Sequence, residues 1–166
     1  ALKVQATLAY YESYKGNYVA FTPMNDGATG TVYTLDFDLY IDPARIEDTT
    51  SVAFQIQFGN TAIGFSTYQS NLNLRISGAN TLVGTVKTWT SIRVIYIVTA
   101  DGAATEKVQV KDANGVYQNK KTRNITDASI KLAGVNNIKF YAYSTAMDQT
   151  YYLDNIYFTR TEAEAE

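Results

Sequence analysis

Apolar and polar residues alternate with a period of two along most of this chain, and that pattern constrains the fold more than any other feature. The stretch TVYTLDFDLYID, residues 31–42, sets Val32 opposite a row of Tyr33, Leu35, Phe37, Leu39 and Ile41. Successive side chains of a strand point to opposite faces, so each such row is one face of a strand. In SVAFQIQFG, Val52, Phe54, Ile56 and Phe58 oppose Gln55 and Gln57. In NLNLRIS, Leu72, Leu74 and Ile76 oppose Asn71, Asn73 and Arg75. TSIRVIYIV sets Ile92, Val94, Tyr96 and Val98 against Arg93, Ile95 and Ile97. EKVQVKD buries Val108 and Val110, and NNIKFYAYS turns Ile138, Phe140 and Ala142 inward with Lys139, Tyr141 and Tyr143 outward. Turn signals separate these runs, and Asn114-Gly115 is the strongest hairpin signal among them. No sustained stripe at helical spacing occurs; PARIEDTT, residues 43–50, has room for one helical turn. About ten to twelve short strands are expected, in an all-β, two-sheet antiparallel sandwich of jelly-roll type. Clean alternation implies that each sheet packs one face and wets the other.

The chain has 166 residues, 46% of them hydrophobic, which suits one domain with a core of its own. Residues 1–160 are expected to form that domain. The terminal TEAEAE, from residue 161, is small, acidic and without an apolar face, and reads as a linker stub or disordered tail. A start at Ala1 rather than Met suggests an excised or mature segment. The net charge of -2 and the lack of a basic block argue against nucleic acid as a partner. No apolar run is long enough to span a bilayer. Cysteine is absent, which excludes disulfides and thiolate metal sites.

Four stretches carry a resemblance. TLDFDLYID is similar to the segment that opens many lectin-like sandwiches. WTSIRVIYIV looks like their Trp-x-x-Ile-Arg-Val-x-Tyr strand, and VQVKDANGVYQN like the hairpin after it. YYLDNIYF, residues 151–158, resembles the closing strand of bacterial carbohydrate-binding modules. The chain thus resembles non-catalytic, jelly-roll carbohydrate-binding modules, close to concanavalin-like and laminin-G-like domains. The resemblance implies a secreted, monomeric bacterial module that binds a polysaccharide or oligosaccharide. It also implies a larger enzyme or adhesin in the same parent chain, a tether to its glycan and no catalysis of the module's own. Many such modules hold a structural calcium between their first and last strands. The carried-over ligand is Asp154, with Glu12 as early partner and backbone carbonyls near residues 14–17. Read with Ile156 and Phe158, Asp154 is expected on the inward row.

The residues themselves offer two kinds of chemistry. The chain has no His and no Cys, which removes the commonest acid–base groups and the thiol nucleophile. Asp36 and Asp38 share a strand face but miss the Glu-x-Asp-x-x-Glu pattern of a related lectin-like hydrolase family, and they read as a solvated face. Sugars offer C–H faces to aromatic planes, and hydroxyls to amides, carboxylates and guanidinium groups. The outward rows supply those types: Asp36, Asp38 and Tyr40; Gln55 and Gln57; Asn73 and Arg75; Tyr141 and Tyr143. They are the expected lining of a shallow trough. Trp89, the only tryptophan, is expected in the core at the start of its strand. A laminin-G-like adhesion domain with protein partners is the alternative, and a lectin-fold glycosidase or lyase is a third.

Overall fold

A computed structural model describes residues 2–6, 17–20, 29–43, 51–58, 61–68, 73–76, 81–100, 103–125, 137–142 and 149–161. Twelve strands run through them: β1 (Leu2–Ala6), β2 (Asn17–Ala20), β3 (Val32–Pro43), β4 (Ser51–Phe58), β5 (Thr61–Tyr68), β6 (Asn73–Ile76), β7 (Thr81–Thr85), β8 (Thr90–Ala100), β9 (Ala103–Lys111), β10 (Tyr117–Ile125), β11 (Asn137–Ala142) and β12 (Gln149–Thr161). The described residues contain no helix, and residues 44–50, where a helical turn was expected, lie outside them. Sheet A has the order β1-β12-β3-β8-β9-β10, and sheet B the order β2-β11-β4-β5-β6-β7. Every strand pairing among the described residues is antiparallel. This is the two-sheet sandwich that the alternation requires.

The inner rows make one core. Tyr33, Leu35, Phe37, Leu39 and Ile41 of β3 are buried, as are Ile92, Val94, Tyr96 and Val98 of β8. Sheet B meets them with Ile56, Ile63, Phe65, Leu74, Ile76, Ile138 and Phe140. Phe37 of one sheet and Phe140 of the other pack edge to face, 6.0 Å between centroids. Each buried side chain of this size contributes about 1.5–3 kcal/mol.

Two irregularities decide which way key residues point. In β12 the register jumps from Asp154↔Asp38 to Tyr157↔Asp36, so Asn155 and Ile156 form a bulge. Asn155 takes a left-handed φ of 48° there, a region Asn tolerates better than most residues. Before the bulge, Tyr151 and Leu153 are the buried row, so Asp154 stands exposed. The expectation that Asp154 joins Phe158 inside is therefore corrected. In β10 the register slips between Asn119 and Lys121. The extra residue moves Lys121 and Arg123 onto the inner row, opposite Val108 and Glu106.

Candidate functional site

The sandwich has two outward sheet faces, and they differ in charge. The described strands of sheet B contain no Asp and no Glu, while they carry Arg75 and Lys139. The register sets Lys139 opposite Gln57 on one side and Tyr18 on the other. It sets Tyr141 opposite Gln55, and Arg75 opposite Ser66. Gln55, Gln57, Asn73, Arg75 and Lys139 are all half-buried and alternate with buried neighbours, so they line the outward face. Tyr143 lies outside the described residues.

Sheet A carries acids on its outward face, Asp36, Asp38 and Asp42 of β3 and Asp154 of β12, together with Arg93 of β8 and Lys107 and Lys111 of β9. Arg93 donates from Nε to Asp36 Oδ1 and from Nη2 to Asp36 Oδ2, both at 2.7 Å. These hydrogen bonds hold the Arg93 pKa above its ordinary value, against the opposing effect of burial. The same guanidinium lies 4.0 Å from the Tyr117 ring centroid. Burial first, and the Asp36 charge second, push the Tyr117 hydroxyl up. Asn155 Nδ2 donates to Asp38 Oδ2 at 2.6 Å, and the Asn155 backbone N–H donates to Asp154 Oδ1 at 3.0 Å.

The residues expected to line one trough therefore fall into two sets. Asp36, Asp38 and Tyr40 belong to sheet A; Gln55, Gln57, Asn73, Arg75 and Tyr141 belong to sheet B. The β3 row and the β4 row that follows it do not share a sheet, because the chain crosses between sheets after β3.

Trp89 is a second correction. It is 47% exposed. Thr90 pairs with Leu39 on the inner row, so Trp89 falls beside Tyr40 on the outer one, 5.5 Å between centroids. Tyr40 in turn meets Tyr152 edge to face at 5.7 Å. The parity of Trp89 with Arg93 was the available signal.

Sequence reading also missed Glu106. It is buried among the inner residues of β9. Its Oε2 accepts from Tyr96 OH at 3.1 Å and from Arg123 Nη2 at 2.8 Å. Burial, then the Glu106 charge, push the Tyr96 hydroxyl well above its ordinary value. Its parity with Val108 and Val110 places Glu106 inside; its partner Arg123 depends on the β10 bulge, which no sequence signal marks.

Calcium takes about six to eight oxygen ligands. Among the described residues no group of three or more His, Cys, Asp or Glu stands together. Asp154 and Asp38 alone do not make such a shell, and Glu12 lies outside the described residues.

No family model matches the chain, and no curated protein matches it. Solved structures do. The alginate lyase Aly36B is 13% identical with a TM-score of 0.55, over 82% of this chain and 72% of its own. A marine PL-14 alginate lyase from Aplysia kurodai is 11% identical with a TM-score of 0.52, over 83% of this chain and 72% of its own. AlgAT5, an alginate lyase of polysaccharide lyase family 7, is 14% identical with a TM-score of 0.50, over 81% and 63%. At these identities the likeness is one of fold. The jelly-roll-type sandwich stands; membership among carbohydrate-binding modules is not shown. One expectation is overturned. The chain was read as non-catalytic, yet its fold is that of proteins that are alginate lyases. The lack of His and Cys is no longer a ground for calling it a binding module alone.

Proposed function

We propose that this protein acts on an acidic, uronate-type polysaccharide, engaged across the outer face of sheet B and cleaved by β-elimination. The observation that carries the reading is that the described strands of sheet B hold cations and no carboxylate. The described strands of sheet B offer Arg75, Lys139 and the amides of Gln55, Gln57 and Asn73 among others, with no carboxylate among them. A polyanion is favoured there, whereas on sheet A it meets carboxylates interspersed with the cations. The alginate lyase neighbours support the choice of substrate class and of reaction.

In such an elimination the uronate carboxylate is first neutralised, which acidifies the proton beside it. Lys139, Arg75 and the donors of Gln55, Gln57 and Asn73 suit that role. A base then takes the proton alpha to the carboxylate. Its electrons form a carbon–carbon double bond, the glycosidic C–O bond breaks, and the departing oxygen takes up a proton. With no histidine in the chain, proton transfer falls to tyrosine or lysine. Tyr18 beside Lys139, and Tyr141 beside Gln55, hold the register positions for it. A polymer of this kind lies outside cells, so the protein is proposed to work there. Among the described residues no helix is long and apolar enough to cross a membrane.

The test is incubation with alginate, pectate and a neutral glucan, reading the ultraviolet absorbance of the new double bond. The expected result is a rise with a uronate polymer and none with the glucan, lost in Lys139→Ala. Retention on alginate with no absorbance would remove the elimination step. Neither retention nor turnover would remove the whole reading.

A further inference from the structure

We infer that the outer face of sheet A carries a second glycan surface, on the opposite side of the sandwich: a stacking platform for a neutral polysaccharide. It is built from Trp89, Tyr40 and Tyr152 and edged by Asp38, Asn155 and Asp154. The inference goes beyond the reading of sheet B and does not rest on it.

Three observations meet here. The first is exposure. A tryptophan that is 47% exposed leaves a large apolar ring in water, and clustered exposed rings mark binding surfaces. Tyr40 stands between Trp89 at 5.5 Å and Tyr152 at 5.7 Å, so the three rings form one continuous group.

The second is how Trp89 is held. The turn from β7 to β8 puts Lys87 at a left-handed φ of 60°, which for a non-glycine residue costs on the order of 1 kcal/mol or more. The Lys87 backbone N–H donates to the Ile41 carbonyl at 2.9 Å, pinning the turn to the end of β3. Gly84 lets β7 approach Thr90 so closely that a Cβ there would meet Thr90 Oγ1 at 2.6 Å. The ring is thus presented by a braced turn, and a pre-set platform loses little freedom on binding.

The third is charge. Asp38, Asp42 and Asp154 surround the rings. Lys87 pairs with Asp42 at 3.7 Å and Arg93 with Asp36 at 2.7 Å, while Lys3 holds the register position opposite Tyr152. The three carboxylates disfavour a polyanion over the rings. The surface suits a neutral chain whose C–H faces lie on the rings and whose hydroxyls donate to carboxylates and accept from the Asn155 amide. From Tyr40 to Asp36 the strand runs about 13 Å, the scale of a short oligosaccharide rather than one sugar.

Trp89 is the only tryptophan, so tryptophan emission, excited where tyrosine does not absorb, reads this surface alone. The probes are cellohexaose, xylohexaose and mannohexaose, with an alginate hexasaccharide as control. The expected result is a saturable emission change with at least one neutral probe and none with the uronate. Tyr152→Ala should weaken that binding roughly tenfold. Trp89→Ala, followed by calorimetry because it lacks the fluorophore, should lose the neutral ligand yet keep wild-type retention on an alginate gel. That retention separates this surface from sheet B. No saturable change with any neutral probe overturns the inference, as does a response to the uronate in their place.

Discussion

Replacing Arg123 by alanine leaves the Glu106 carboxylate buried with one tyrosine donor in place of a cation. Removing one partner of a fully buried pair costs about 3–5 kcal/mol. The Arg123 side chain is 40% exposed, so the lower end applies, and Arg123→Ala is expected to lose about 3 kcal/mol in denaturant unfolding. A loss within about 0.5 kcal/mol, typical of a surface change, would show that the pair carries no such role. The same cluster sets an alkaline limit. Burial and Glu106 hold the Tyr96 hydroxyl protonated when folded, whereas an unfolded tyrosine ionises near pH 10. The folded pKa lies above the unfolded one. The stability it contributes is therefore complete below about pH 10 and falls as pH climbs toward the folded value. Tyr96→Phe should flatten that alkaline fall in a series of unfolding curves; an unchanged slope would assign it to other groups. Residue parity explains what was legible at this scale. Glu106 and Trp89 stand on the rows their numbering dictates, inward with Val108 and outward with Arg93. Residue type argued the other way, since a carboxylate suggests water and a tryptophan suggests a core.

Strands were readable where alternation is unbroken, as in β3, β8 and β9, and unreadable where a bulge resets it. The β12 bulge turns Asp154 outward and lets Phe158 return inward. The β10 bulge delivers Arg123 to Glu106. Neither is marked by a glycine. Asn155 is the one local clue, through its φ of 48°. Asn155→Gly should change stability by a few tenths of a kcal/mol, while Asn155→Ala, with a Cβ and no local hydrogen bonding, should cost about 1 kcal/mol. Equal losses in both would place the effect in the side-chain bond to Asp38 instead. The β7–β8 contact makes a sharper case. The Thr90 Oγ1 that a new Cβ would meet at 2.6 Å belongs to a buried, β-branched side chain with little rotamer freedom. Gly84→Ala should cost about 1–3 kcal/mol by overpacking. Combined with Thr90→Ala, most of that penalty should vanish; a penalty that persists would locate it in the backbone.

Over the whole molecule, fold class followed from the period of two, but sheet membership did not. Alternation says which residues share a face of one strand, and nothing in it says that β3 leaves for sheet A while β4 begins in sheet B. One expected trough therefore becomes two faces of different composition. Every acid of the described strands lies in sheet A, and those of sheet B have none. At a net charge of -2 the protein as a whole would not be drawn to a polyanion, so attraction has to be local, and the proposal places it on sheet B, whose described strands have no carboxylate. Retention should then weaken as salt rises, because these groups lie near the surface. Electrophoresis through a gel containing alginate examines that face by itself, comparing wild type, Arg75→Glu with Lys139→Glu, and Asp38→Asn. Wild type and Asp38→Asn should be retarded alike, and the double charge reversal should run free. A wild type that runs free, or a double reversal held back as strongly as wild type, would show that sheet B is not where the polysaccharide binds.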